Sequence, residues 1–221
     1  MIASLYANAD EPWPLRDGIV HVWRFELAGA ANESALDDSE RAIAARFATA
    51  ALRDGYVIAH AGVRALLRRY VGAPIVFTRG ERGKPRVEGV EHNLSHCDDV
   101  ALLAVARDMA VGIDIERRDA LIDQRAVGRL VRAPSEAGME FMRVWCRKEA
   151  CLKATGVGLL DDLTSVSVIG ERVAVAGQIV FVNDLDVGGE HAAALATSRQ
   201  LVKSRMSCVE RSAVIATSAV R

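Results

Sequence analysis

The chain passes twice through one succession of periodicities: an alternating strand, a stretch of helix, then strands again. In the first pass, GIVHVWRFEL (residues 18–27) alternates as a half-buried strand. Residues 37–72 then read as two helices. Asp37, Asp38 or Ser39 can cap the first, and the second carries Val63, Leu66, Leu67 and Tyr70 at the spacing of one buried face. PIVFTRGERGKPRVEG follows as a short strand and a Gly-rich basic loop, HNLSH as a strand edge and VALLAVAR as a buried strand. The second pass opens near Met109. AVGIDIE is a strand, residues 119–131 and 135–155 are mostly helical, and LTSVSVI, RVAVAGQIVFV and HAAALATS read as three further strands. The pattern predicts an α+β fold of two similar halves, a pseudo-duplication divided into residues 1–108 and 109–221. Units this small each leave an apolar face uncovered. The halves are therefore expected to pack together, with a ligand cleft at their seam.

At 221 residues and 51% apolar content, the chain can bury such cores. Its 28 basic and 29 acidic residues leave a formal net charge of -1, so no overall basic field points to nucleic acid. No apolar run approaches the roughly 18 residues of a membrane span, and MIASLYANADEPWPL lacks the basic start of a secretory signal. Cys97, Cys146, Cys151 and Cys208 fit neither a paired CxxC zinc site nor a dense disulfide framework. They read as free packing thiols in a reducing cytoplasm. The tail from Gln200 is weakly patterned and is left unassigned.

Three stretches carry chemistry. In VGIDIE, strand alternation sends Val111, Ile113 and Ile115 one way and Gly112, Asp114 and Glu116 the other. Two carboxylates side by side raise each other's pKa unless a cation lies between them, and a hard ion such as Mg²⁺ suits the pair. A solvated face paired with Arg117 and Arg118 is the alternative. In WCRKEACLKATGVGL, Trp145, Glu149 and Lys153 recur at four-residue intervals on one helix face, and Gly156 sits where the helix should stop. Glu149 could be a third metal ligand or a general base, and Lys153 could meet a phosphate; an ordinary surface Glu–Lys pair has the same spacing. NLSHCDD offers Ser95 and His96 for a phosphate, and RGERGKPR gathers Arg79, Arg82, Lys84 and Arg86 around two glycines, either a phosphate loop or a solvated hairpin tip. Arg53 is a weaker candidate of the same kind. Taken together, three carboxylates, several cations and a histidine imply a metal and a multiply phosphorylated ligand.

The pairing of VGIDIE with WCRKEACLKATGVGL resembles the double signature of the 4'-phosphopantetheinyl transferases, with every fixed position filled. GKP and NLSH also match blocks that such enzymes carry upstream, in the same order. The likeness covers roughly residues 38 to 198, and the length and two-pass layout are similar to the Sfp-type subgroup of two-halved monomers. The resemblance implies a cytoplasmic, Mg²⁺-dependent enzyme that moves the phosphopantetheine arm of coenzyme A to a serine of an apo acyl or peptidyl carrier protein, releasing adenosine 3',5'-bisphosphate. It implies no membrane or nucleic-acid partner. Asp114, Glu116 and Glu149 would hold Mg²⁺, and Glu149 would take the serine proton directly or through water. Lys153 would contact the transferred phosphate. Lys84, Ser95 and His96 would bind coenzyme A, the last two through its 3'-phosphate, with Arg53 as a further contact. A non-catalytic relative that binds the coenzyme or a carrier is the alternative. The chain departs from the family in a shorter segment between Glu116 and Trp145, in LVRAPSE where a Phe-rich start is customary, and in Glu40 and Ile43 where some relatives place lysines.

Overall fold

The computed structural model describes residues 13–72, 74–80, 83–120, 124–158, 162–201 and 211–212, with the backbone alone for 124–126 and 211–212. Arg82, Cys208 and most of the tail lie outside the described residues.

The first half opens with β1 (Val20–Glu26) and continues into α1 (Asp38–Ala44) and α2 (Ala50–Val71). Asp37 caps α1 reciprocally: its carboxylate accepts from the Glu40 amide at 2.9 Å, and Glu40 accepts from the Asp37 amide at 3.0 Å. Thr49 caps α2, and Gly72 ends it with φ 67, a left-handed conformation that favours glycine. The strand expected in PIVF does not form, because Arg64 draws the Ile75 carbonyl inward at 3.1 Å and leaves it no strand neighbour. A short hairpin, β2 (Thr78–Arg79) with β3 (Pro85–Arg86), follows instead. β4 (Glu91–Cys97) and β5 (Val100–Ala106) close the half.

The second half runs through β6 (Val111–Arg117), α3 (Gln124–Val131), α4 (Phe141–Thr155), β7 (Arg172–Val175), β8 (Gln178–Asp184) and β9 (His191–Thr197). LTSVSVI is not a strand. Asp162 caps a single 3₁₀ turn at Leu163–Ser165, and the Val168 amide is taken by the Glu136 side chain at 2.7 Å. RVAVAGQIVFV is two strands rather than one, turning at Ala176 (φ 47) and Gly177 (φ 79). The helix expected from residue 135 begins only at Phe141, after a 3₁₀ turn at Pro134–Glu136.

The two larger sheets follow the same logic. β1 pairs antiparallel with β5, and β5 with β4; β6 pairs antiparallel with β9, β9 with β8, and β8 with β7. In both, the opening strand lies beside the last strand of the half, which lies beside the one before it. β10 (Arg211–Ser212) joins the first sheet parallel to β1. The fold is thus α+β with two similarly wound sheets, as the two-pass pattern predicts.

The sheets face each other. Val20, Val22, Leu102 and Ala104 of the first meet Val111, Ile113, Ile115 and Leu195 of the second in one buried cluster. The outer face of the first sheet, with Trp23, Phe25 and Leu103, is covered by Val63, Leu66 and Leu67 of α2. The outer face of the second, with Val182, Ala194 and Ala196, is covered by α4. Among the described residues, no helix is long and apolar enough to cross a membrane.

Candidate active site

The site forms where edge strand β4 of one sheet meets edge strand β6 of the other, beside α4. Alternation along β6 buries Ile113 and Ile115 between the sheets and turns Gly112 and Asp114 toward α4. Gly112 is what lets the helix come close: a Cβ there would stand 2.1 Å from the Ala150 carbonyl oxygen and 2.4 Å from the Ala154 amide nitrogen. The helix ends at Gly156 (φ 67), as its sequence predicts.

A cavity of about 380 Å³ is lined by Ser95, His96, Asp114, Glu116, Glu149 and Lys153, with Trp145 also on its wall. A second, of about 330 Å³, is lined by Lys84, Pro85, Asn93, Gly156 and Gly158 and shares Glu149 and Lys153 with the first. Glu149 and Lys153 therefore stand between two hollows, each in the size range of small-molecule sites.

Asp114 is 3% exposed. Its Oδ1 accepts from Lys153 Nζ at 2.6 Å and from Ser95 Oγ at 2.9 Å. Its Oδ2 is buried with no hydrogen-bond partner. Burial first, then the Asp114 and Glu116 charges and a contact with Asp114, hold the neighbouring Cys146 thiol protonated, and its hydrogen bond goes to the Ala192 carbonyl at 3.2 Å. A bare anionic oxygen in a buried wall is costly unless a cation meets it. Glu116 is pushed up to about 7, first by burial and then by Asp114, with Lys153 opposing. Burial and Asp114 raise Glu149 as well. Two carboxyls that resist ionising beside Asp114 fit a divalent cation, which would relieve both together. Among the described residues, however, no three acidic, histidine or cysteine side chains are gathered tightly enough to enclose an ion as they stand. Lys153 is the cation that lies against Asp114.

The other expected residues divide. Ser95 is buried, and its hydroxyl is fully engaged: it donates to Asp114 and accepts from Lys153 Nζ at 3.2 Å and from the Ile115 amide at 3.4 Å. His96 stands exposed on the cavity rim, yet its surroundings are dense enough that desolvation, then His60 and Lys153, lower its pKa. Lys84 turns inward and donates to the Val111 carbonyl at 2.9 Å and the Lys153 carbonyl at 3.1 Å, and burial pulls its pKa down. Arg53 lies on the first turn of α2, exposed, bound to Asp54 at 2.8 Å, and lines neither cavity. Arg79 and Arg86 form the exposed hairpin tip. Cys97, Cys146 and Cys151 are free thiols, the last two in the core.

Sequence reasoning missed Asn93 and the pair Lys148–Glu136. Asn93 accepts from the Ile113 amide at 2.8 Å, and its signal was its place two residues before Ser95 on the same strand face. Lys148 and Glu136 form a buried ion pair one residue from Glu149; a lysine on the core side of an amphipathic helix was the available sign.

Three carboxylates and a lysine on the wall of two adjoining hollows are the build of a site for a charged ligand. Comparison with known proteins narrows the class. The pattern of the 4'-phosphopantetheinyl transferase superfamily matches residues 110–195, the stretch holding β6 and α4. The 4'-phosphopantetheinyl transferase HetI of Nostoc sp. (strain PCC 7120) is 31% identical over 165 residues, covering 63% of this chain and 70% of the relative. The chain belongs to the 4'-phosphopantetheinyl transferase superfamily.

Proposed function

We propose that the protein transfers the 4'-phosphopantetheine arm of coenzyme A to a serine of an apo acyl or peptidyl carrier protein, in a Mg²⁺-dependent reaction that leaves adenosine 3',5'-bisphosphate. The observation that carries this reading is Asp114, whose buried Oδ2 lacks a partner on a wall shared with Glu116, Glu149 and Lys153. Asp114, Glu116 and Glu149 would hold Mg²⁺. When bound, that ion supplies charge neutralisation on the pyrophosphate oxygens.

The protein's own residues do the rest. The serine oxygen attacks the phosphorus that carries the pantetheine arm; the bond to the bridging pyrophosphate oxygen breaks, and the nucleotide leaves with that oxygen. Glu149 takes the serine proton, directly or through one water, and its raised proton affinity favours that role. Lys153 holds the transferred phosphate in line with its ammonium. Lys84 and His96 line the two hollows for the coenzyme, while Ser95 contributes to ligand binding through the Asp114 wall it supports. Arg53 would reach the coenzyme only by leaving Asp54.

We assign the chain to the two-halved Sfp-type subgroup, a cytoplasmic monomer divided at residues 108 and 109, with the catalytic carboxylates in the second half. The test is a panel of apo carriers incubated with coenzyme A and Mg²⁺ and read by intact-mass spectrometry. One carrier should gain the mass of one phosphopantetheine arm, and Glu149→Gln should abolish the gain while remaining folded. Tight coenzyme binding with no gain on any carrier would make the protein a binding relative instead.

A further inference from the structure

β4 and β6 lie side by side without a backbone ladder: β4 pairs only with β5, and β6 only with β9, among the described residues. The edge of β6 that faces β4 is buried, so its amides and carbonyls need partners, each worth about 1–3 kcal/mol if left bare. Side chains supply them in sequence. Lys84 takes the Val111 carbonyl at 2.9 Å, Asn93 the Ile113 amide at 2.8 Å, Lys153 the Ile113 carbonyl at 3.3 Å, and Ser95 the Ile115 amide at 3.4 Å. Asn93 and Ser95 are two apart on β4, and Ile113 and Ile115 are two apart on β6. β4 thus turns one face of its pleat, through Asn93 and Ser95, to the backbone edge of β6. Asp114 hangs between the two amide rungs.

The rungs are unequal. Ser95 divides its hydroxyl among Asp114, Lys153 and the Ile115 amide, and its hold on that amide is long. Asn93 gives a short bond to the Ile113 amide, immediately before Asp114. We infer that Asn93 is a positioning residue for the Asp114 carboxylate, fixing the β6 backbone so that the bare Oδ2 is aimed at an incoming divalent cation. The inference rests on the proposal that Asp114 is a metal ligand. Groups that orient a ligand through its backbone or side chain change metal affinity when removed.

The experiment titrates Mn²⁺ into the intact protein at saturating coenzyme A, with free Mn²⁺ followed by electron paramagnetic resonance and coenzyme affinity measured separately without metal. Asn93→Leu keeps the bulk and loses the acceptor; it should weaken Mn²⁺ binding about tenfold or more, a larger loss than in coenzyme affinity. Asn93→Asp keeps the acceptor oxygen and should bind Mn²⁺ no more weakly than the parent. Where Asn93→Leu fails to fold, Asn93→Ala takes its place in the same titration. Unchanged Mn²⁺ affinity in the acceptor-less variant overturns the inference. So does equal weakening in Asn93→Asp, or a loss confined to coenzyme binding, which would make Asn93 a direct contact. Normal Mn²⁺ binding by the variants, with arm transfer by the parent, sinks the inference alone; weakened Mn²⁺ binding by Asn93→Leu, with no transfer by the parent on any carrier, sinks the transferase reading alone.

Discussion

Lys153 Nζ lies 2.6 Å from the buried Oδ1 of Asp114, across the join between helix α4 and strand β6. The ammonium holds the place that a divalent ion would otherwise neutralise, while leaving the second oxygen of the same carboxylate bare. In the proposed reaction one residue thus carries the charge for the phosphate and also neutralises the acid proposed to take the metal.

Lys153→Met separates these roles. Without the ammonium, Asp114 keeps one hydroxyl donor and no cation, which costs about 2–3 kcal/mol, below the about 3–5 kcal/mol of a fully buried pair because Lys153 is partly open to solvent. Mg²⁺ should therefore raise the melting temperature of the variant more than that of the parent. Transfer should still fall by about a hundredfold or more, since no fixed charge meets the phosphate. A variant that melts like the parent and ignores Mg²⁺ would remove Asp114 from the metal set.

The acidic wall also sets a pH signature. The folded chain holds the Glu116 proton up to about 7 against an ordinary value of 4.5, so between those values the folded state binds more protons and stability falls as pH rises. His92 works oppositely: burial drives it from 6.5 to about 4, and over that window stability rises with pH. The two offset through the acidic range, so Glu116 is read by difference. Metal-free Glu116→Gln should be more stable than the parent above pH 7 and indistinguishable near pH 4, checked by urea denaturation. The Mg²⁺ concentration for half-maximal transfer should rise as pH drops through about 7, because proton and cation compete for the same carboxylates.

Gly112→Ala tests the helix–strand contact directly. The added methyl would meet two backbone atoms of α4 inside 2.5 Å, and neither can swing aside as a side chain could. The helix must lift, carrying Glu149 and Lys153 with it. Loss of about 3 kcal/mol or more in denaturant, with transfer reduced beyond what the unfolded fraction explains, is the expected outcome.

Much of this site is legible in the sequence because its rules are local. Alternation separates Asp114 and Glu116 from Ile113 and Ile115, and the four-residue repeat puts Trp145, Glu149 and Lys153 on one wall; all but the isoleucines line the first cavity. What the sequence did not announce depended on partners far along the chain. LTSVSVI has the β-branched content of a strand, but the Val168 amide is claimed by Glu136, 32 residues earlier. Lys84, in a basic loop, also donates to carbonyls 27 and 69 residues away. The three hydrogen bonds of the Ser95 hydroxyl all run into the other half. No spacing within one half announces a bond that exists only once the halves have docked.

Lys148 and Glu136 offer the sharpest energetic test. Their side chains are 1% and 0% exposed, with Nζ 2.8 Å from Oε2. Lys148 also donates to the Val131 carbonyl at 2.6 Å and the Leu163 carbonyl at 2.8 Å, which uses its three protons. Glu136 accepts from the Ala133 amide and the Val168 amide, each at 2.7 Å. The cluster therefore fastens the end of α3 and the 163–168 turn to the helix residue next to Glu149. Lys148→Met strands a buried carboxylate and should cost about 3–5 kcal/mol. Replacing a buried ion pair wholly by apolar side chains is often close to neutral, but here Lys148→Met with Glu136→Leu also bares two carbonyls and two amides. At about 1–3 kcal/mol for each bare group, the double variant should stay at least about 3 kcal/mol below the parent, short of the recovery that a simple charge pair allows. Urea denaturation of the two variants against the parent decides it: a double variant near parental stability would mean that the charges alone, and not the backbone groups they serve, hold this corner of the site in place.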